Sequence, residues 1–519
     1  MKRFTVSVMT LMAAIAINAT THIVMVKNTR YQTITGFGAA CCDGAMKPFG
    51  SDTQPVRLLY GPNSKVGLNI MRMEISPSFQ GEGWGDYNWH GSLPSAQLVK
   101  QRGGIVFGTP WSPPGSYKTN GTAQGGKVND QDENDPKNKR GALREDCYEK
   151  FFPWLNTFLK YMKMNGVKVD AVSIQNEPDW WVNYSGCLYT PEQQVTLVKN
   201  YANKLDRKTY KGVRLISAEP LGFDVKYAKA LMNDPVAREQ IDIIAGHLYG
   251  NPPLGGGYFN TPPHMKNSAA LAAKYGKEVW MTEHSVTDNI DHLPNWSEQL
   301  EFARELNECM LAGCTGYIYW YMRAHWAFVG TGEPVEINKQ KITIPGNTKN
   351  KLLPRAYVMS HFSKHVTGST RLDTKATFTT STNSELETSA FIKGDSIIIM
   401  AINSGKSDHE LRMRMPSGTY VKSGTHLIST GNETDKLCQT KDLDITESVT
   451  EYTASMPANS LNTYIFMIDQ EATAIKDLHK PANPLAKTYY DLQGRLLKNP
   501  KGLCIEQRAD GFTRKVYIE

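Results

Sequence analysis

Along this chain, short unbroken apolar runs alternate with longer stretches in which apolar residues recur every three or four positions. The runs are "TITGFGAA", "VGLNIMRMEI", "GGIVFGTPW", "VDAVSIQNEP", "GVRLISAEP", "IDIIAGHLYG", "KEVWMTEHS" and "GYIYWYM", and each closes on polar or aromatic residues. Between them lie helical patterns such as "DCYEKFFPWLNTFLKYMKMNG" and "TPEQQVTLVKNYANKLDRK". Near-continuous apolar strands belong to a parallel sheet covered on both faces. Eight strand–helix units in series predict an α/β fold, a (β/α)8 TIM barrel over residues 31–356. An open doubly wound sheet is the alternative, but no glycine-rich dinucleotide fingerprint follows the first strand.

The pattern changes near Tyr357. "SAFIKGDSIIIMAINSG", "HELRMRMPSGTYV" and "SLNTYIFMI" read as strands with turn punctuation, which predicts an attached antiparallel β side domain (a β-sandwich) over 357–470. Residues 20–30, which include "THIVMVK", are read as a strand joining that domain. Residues 471–519 are read as a linker containing "KPANP" and a small β module. Its "YDLQGR" and "KGL" elements resemble the C-terminal sorting tail of type IX secretion. An extra pair of side-domain strands is the competing reading. At the other end, Lys2 and Arg3 precede an apolar run through Ile17, which predicts a signal peptide over residues 1–19 and a secreted or cell-surface protein. A membrane anchor is the alternative, but the run is short for a span and no later stretch is apolar enough to cross a bilayer.

Composition narrows the classes. The chain has 519 residues, with 58 basic against 51 acidic side chains, a net charge of +7. Spread over that length, and with no dense Lys/Arg run, the excess does not point to nucleic acid. The 8 cysteines are irregularly spaced and form no paired CxxC motif. They read as core thiols with room for one bridge in an exported chain. No metal or other cofactor is expected: there is no HExxH or clustered His/Asp set, and the acidic "DQDENDP" (130–136) lacks the glycine and closing glutamate of an EF loop. The run "GGGYFN" (255–260) has no P-loop context and reads as a loop.

In such a barrel, chemistry sits at the C-terminal ends of the strands. Two carboxylates close strands there, Glu177 on the fourth and Glu283 on the seventh. Glycoside cleavage needs such a pair, one to protonate the leaving oxygen and one across the sugar. Salt-bridged strand ends are the plain structural alternative. Asn176, beside Glu177, could hydrogen-bond a sugar 2-hydroxyl. Arg72 is a cation on an apolar strand and needs a buried anion, either a nucleophilic glutamate or a structural acid such as Glu74. Trp111, Trp180 and Trp320 are the tryptophans chosen for the cleft, since indole faces stack on pyranose rings; core packing is the alternative use of such rings.

The segments "TITGFGAA", "VFGTPWSPPGSYKTNG", "SIQNEPDW", "IIAGHLYG", "WMTEHS" and "YWYMR" resemble glycoside hydrolase family 30, and most its bacterial xylanase branch, over about residues 32–468. The resemblance implies a retaining enzyme with a barrel and a β side domain. It implies Glu177 as acid/base and Glu283 as nucleophile. Asn176 would hold the sugar at the cleavage point, and Trp111, Tyr249 and His247 would line that subsite. Glucuronoxylan-specific members carry two consecutive arginines after strand eight; here the segment is "WYMRAHW", with Arg323 followed by Ala324. The expected partner is therefore xylan that need not carry glucuronic acid, with Arg323 or His325 as candidate contacts to an acidic branch. A glucuronoxylanase, a glucosylceramidase-like, β-glucosidase-like or β-1,6-glucanase activity, and a non-catalytic glycan-binding protein are the competing functions.

Overall fold

The computed structural model describes residues 20–41, 52–78, 89–127, 138–249, 263–286, 291–378, 385–472, 487–492, 496–497, 499–508 and 513–518. The expected signal peptide, the 130–136 acidic loop, the 255–260 glycine run and the "KPANP" linker lie outside the described residues. The first strand, β1 (Thr20–Thr33), belongs to the side domain. The barrel follows as β2 (Gly36–Cys41), β3 (Ile70–Ile75), β4 (Ile105–Pro110), β5 (Ala171–Ser173), β6 (Arg214–Ile216), β7 (Ile243–His247), β8 (Glu278–Glu283) and β9 (Gly316–Tyr319). Each pairs in parallel with the next, and β9 closes onto β2. This is the (β/α)8 barrel that the eight apolar runs predict. Glycine in "GFG" is dictated by closeness: a Cβ on Gly38 would lie 1.9 Å from the Ile70 carbonyl oxygen.

Helices between the strands start on readable signals. Thr190 and Gln193 form a capping box ahead of Pro191–Tyr201, and Asn295 and Glu298 form another ahead of Trp296–Ala312. The helices bury the outer faces of the strands. Inside the barrel, Ile70, Phe107, Ala171, Ile216, Ile243, Ala245, Trp280 and Ile318 pack into one apolar plug. Side chains alternate along a strand, so residues two positions further on share a face. Arg72, Thr109 and His247 thus stand directly above Ile70, Phe107 and Ala245, on the C-terminal side of the plug. The sequence period alone lifts a polar layer to the barrel mouth.

The side domain is one hydrogen-bonded sheet of nine strands. Their order is Gln439–Asp442, Val421–Ser429, Ser460–Ile468, Ser396–Asn403, Leu386–Lys393, Thr370–Ala376, β1, His409–Arg414 and Glu451–Met456. One pair departs from the antiparallel expectation: β1 runs parallel to His409–Arg414. Two register shifts carry β1 past Val26 to Thr33, up to the start of the barrel. The sheet folds over itself, so the Tyr464 hydroxyl reaches across to donate to the Ser455 carbonyl at 3.1 Å. Val24, Leu411, Ile399 and Phe466 from distant strands share its core. Its other face packs on the barrel, where Arg304 of helix Trp296–Ala312 pairs with Glu387 at 2.6 Å. In the C-terminal stretch, Leu496–Leu497, Lys487–Tyr490, Gly502–Arg508 and Thr513–Ile518 form a separate four-stranded sheet. Cys147, Cys187, Cys309, Cys314, Cys438 and Cys504 are unbridged thiols. Among the described residues no helix is long and apolar enough to cross a membrane.

Candidate active site

Five barrel strands, β3, β5, β6, β7 and β8, deliver charged groups to one buried point. Arg72 on β3 is fully buried. One of its guanidinium nitrogens donates to Glu283 at the end of β8, and the other to Asn176 Oδ1 and Glu219 Oε2, each at 2.8 Å. Its plane lies over the Trp111 ring, 4.5 Å from the centroid. Five fixed donors and a stacking face suit arginine to this junction in a way lysine is not. His247, at the end of β7, is also fully buried. Its Nδ1 lies 3.1 Å from Glu177 Oε1 and its Nε2 3.2 Å from Glu219 Oε2. Thr109 donates to the remaining Glu219 oxygen at 2.8 Å.

The backbone presents Glu177 unusually. Beyond β5 the chain runs on to Asn176, whose N–H donates to the Pro110 carbonyl at 2.9 Å. Glu177 then turns to φ +44°, a region that non-glycine residues rarely enter. Its N–H is tied to the Glu219 carbonyl at 2.9 Å. Backbone strain of this kind persists only where surrounding contacts fix it, and it clusters at functional sites. Glu177 and Glu283 are both largely buried, at 7% and 6% exposure.

Electrostatics follow from the crowding of three carboxylates around two cations. Burial alone would lower the His247 imidazole, but Glu283, Glu177 and Glu219 outweigh it and raise it to about 9. Both ring nitrogens are therefore donors to carboxylates. Glu219 is pulled down to about 2; burial pushes it up, and Arg72 and the His247 hydrogen bond more than reverse that. Glu283 is raised by burial and by Glu177, against the pull of His247 and Arg72. An oxygen of Glu177, an oxygen of Glu283 and a ring nitrogen of His247 lie within 4.8 Å of one another. Such a trio could in principle hold a metal ion. Its chemistry argues otherwise: Arg72 already occupies Glu283, and a protonated imidazole has no lone pair to give.

The other sequence candidates gather around this point or behind it. Trp111, directly after β4, is 8% exposed and its ring centroid is 6.0 Å from that of Trp320, directly after β9. Tyr249 lies with its ring 6.1 Å from His247 and 5.1 Å from His284. Trp180 is half-buried and its N–H donates to the Glu177 carbonyl. His247 stands behind the carboxylates, holding Glu177. Arg323 reaches to Asp52 on the loop after β2, at 3.1 Å, and Asn350 also donates to that carboxylate. His284 turns away from the mouth onto Glu305, which Tyr317 also holds.

Glu219 is the member that reading the sequence passed over. Its signal was present: "RLISAEP" closes an apolar run with Glu-Pro, as "SIQNEP" does for Glu177.

Comparisons with known proteins bear on this geometry. A family model described as glycosyl hydrolase family 59 matches residues 147–334, the stretch that carries Glu177, Glu219, His247 and Glu283. Two proteins named glucuronoxylanase XynC, both from Bacillus subtilis, align over most of their length. One is 26% identical over 444 residues, 84% of this chain and 89% of its own. The other, from strain 168, is 25% identical over 414 residues, 78% and 82% of the two chains. A solved structure, the glycoside hydrolase family 30 subfamily 8 xylanase Xyn30A from Clostridium acetobutylicum, superposes with a TM-score of 0.64 at 29% identity, covering 86% of this chain and 99% of that one. The chain is similar to glycoside hydrolases of family 30. The span matched by the family model holds every charged group of the buried site except Arg72.

Proposed function

We propose that the protein is a retaining endo-β-1,4-xylanase that cleaves xylan by double displacement and does not require a glucuronic acid branch. The observation that carries this reading is the approach of the Glu177 and Glu283 carboxylates to within 4.8 Å at the barrel mouth. Retaining glycosidases place their two carboxyl groups about 5–5.5 Å apart, whereas inverting ones leave about 6.5–9.5 Å for a water. In the first step Glu283 attacks the anomeric carbon while Glu177 gives its proton to the leaving glycosidic oxygen. In the second, Glu177 takes a proton from water, which releases the sugar from Glu283. Arg72 and the His247 imidazolium hold the carboxylates in place and spread their charge. Asn176, fixed by Arg72, is set beside Glu177 where a sugar 2-hydroxyl would lie. Trp111 and Trp320 supply aromatic faces for the rings.

Independence from a charged branch is supported by Ala324, which is buried and offers no donor, and by Arg323, whose charge is met by Asp52. A second reading, a glucuronoxylanase, is favoured by the names of the Bacillus subtilis relatives. Product profiles on linear xylan, arabinoxylan and glucuronoxylan separate the two. The proposal expects linear xylan to be cut about as fast as glucuronoxylan. Products ending at a fixed distance from each glucuronic acid, with linear xylan left intact, would overturn it. The same reading takes residues 1–19 as an export signal and 471–519 as a linker and sorting tail, placing the enzyme outside the cell with its polymer.

A further inference from the structure

At the opposite end of the barrel from the carboxylates lies a second concave site. The segments leading into β5 and β6, with the end of helix Tyr148–Met164, enclose a cavity of about 560 Å³ lined by Leu159, Val167, Val169 and Tyr210 and by four lysines. Those lysines are Lys163, Lys168, Lys208 and Lys211, all exposed. The volume is in the range of small-ligand sites.

The charge of this cavity is only partly met: Lys163 donates to the Thr209 carbonyl at 3.4 Å, and Asp206 lies within electrostatic reach of Lys208. Neighbouring cations are neutralised: Lys100 by Asp170, Arg207 by Asp242 and Lys204 by Glu149. Among the described residues none of the four lining lysines has a carboxylate within ion-pair distance. Asp206, the nearby acid, accepts the Thr209 N–H at 2.8 Å and acts on the Lys208 ammonium only through space. The floor is apolar, and Tyr210 stands at the wall with the Lys163 ammonium 5.7 Å from its ring centroid. Next to it Met164 is 76% exposed. An aromatic and apolar floor under a ring of ammonium groups matches a sugar chain whose C–H faces lie on the floor and whose carboxylates meet the lysines.

We propose that this lysine-rimmed cavity is an auxiliary binding site for uronic-acid-bearing polysaccharide. It holds the anionic polymer on the face of the barrel away from the catalytic mouth, so that occupancy leaves the cleft open. The polysaccharide class rests on the function proposed above; the preference for an anionic ligand rests on the lysines alone.

The test uses the full chain and a K163A/K168A/K208A/K211A variant, with a second variant carrying arginine at all four positions. Migration in native gels cast with glucuronoxylan or with linear xylan is referred to gels without polysaccharide. The expected result is retardation of the parent by glucuronoxylan that weakens about tenfold in the alanine variant and at high salt, returns in the arginine variant, and is unaffected on linear xylan. Turnover of neutral xylo-oligosaccharides stays unchanged. Equal retardation of parent and alanine variant overturns the site. Stronger lysine-dependent binding to duplex DNA or to phosphatidylglycerol vesicles than to glucuronoxylan overturns the ligand class. If no xylan is cleaved at all, the catalytic reading fails while the retardation still decides this one.

Discussion

As the proposed acid and base, Glu177 would carry two demands at once: to give up a proton and then take one back. The fold meets them by tethering its backbone at φ +44° to the Glu219 carbonyl and one carboxylate oxygen to His247. On the proposed mechanism the second oxygen serves the glycosidic bond. Replacing Glu177 by Gln should slow hydrolysis of xylan by about 10²–10⁴-fold, the usual share of general acid catalysis. Aryl xylosides with good leaving groups should lose far less in their first step. Steady-state and burst kinetics on both substrate classes check this, and an equal loss on both would remove Glu177 from the acid role. His247 makes a separate prediction. Its imidazolium is favoured in the folded state up to about 9, against an ordinary histidine value near 6.5. Its contribution to stability is therefore complete below about pH 6.5 and lost as pH rises towards 9. Urea unfolding across that window should show a falling stability in the parent and a flatter one in His247→Gln.

At the scale of elements, the contact between barrel and side sheet depends on neutral histidines. His361, in helix Pro354–Ser363, faces Thr463 Oγ1 at 2.8 Å and Ser429 Oγ at 2.9 Å, both on sheet strands. Within the side sheet itself, on the face that carries Tyr464 and the domain core, His426 meets Asn462 Oδ1 at 2.9 Å and stacks on Tyr464 with centroids 4.4 Å apart. Burial pushes His361 down to about 3, and His365 and His426 add to the shift; His426 itself falls to about 4, again chiefly through burial. Below about pH 6.5 the unfolded chain takes up protons that these buried rings refuse, so stability falls on acidification. For His361 the loss amounts to about 2 kcal/mol by pH 5. Hydrogen exchange at pH 7 and pH 5 should show Ser396–Asn403 and Ser460–Ile468 losing protection in acid. Unchanged protection would mean that the junction does not sense these rings.

The barrel strands were legible because burial on both faces leaves an unbroken apolar run, and Glu177 and Glu283 because a carboxylate closing such a run has nowhere apolar to go. Glu219 shares that signature, yet its role emerges only when β5, β6 and β7 are side by side. Arg72 could be read as needing an anion; that it serves Glu219 and Glu283 together is a fact of closure. The parallel pairing of β1 with His409–Arg414 joins residues nearly four hundred positions apart, and no local pattern encodes it.

Across the whole molecule, a plugged barrel, a side sheet packed on its helices and a mouth with two close carboxylates make up the device that the proposed function assigns to cutting a β-linked sugar chain. Apolar layering forces charge to the C-terminal ends of the strands. Arg72 and His247 keep three carboxylates together there, and the lysine-rimmed cavity lies at the other end. The central claim is that Glu283 becomes covalently bonded to the sugar. Incubation with a 2-deoxy-2-fluoro-xyloside bearing a good leaving group, followed by peptide mass spectrometry, tests it directly. The account predicts one fluoroxylosyl group per chain, on the peptide containing Glu283, absent from Glu283→Ala. A label on another residue, or turnover with inversion and no label, would contradict it.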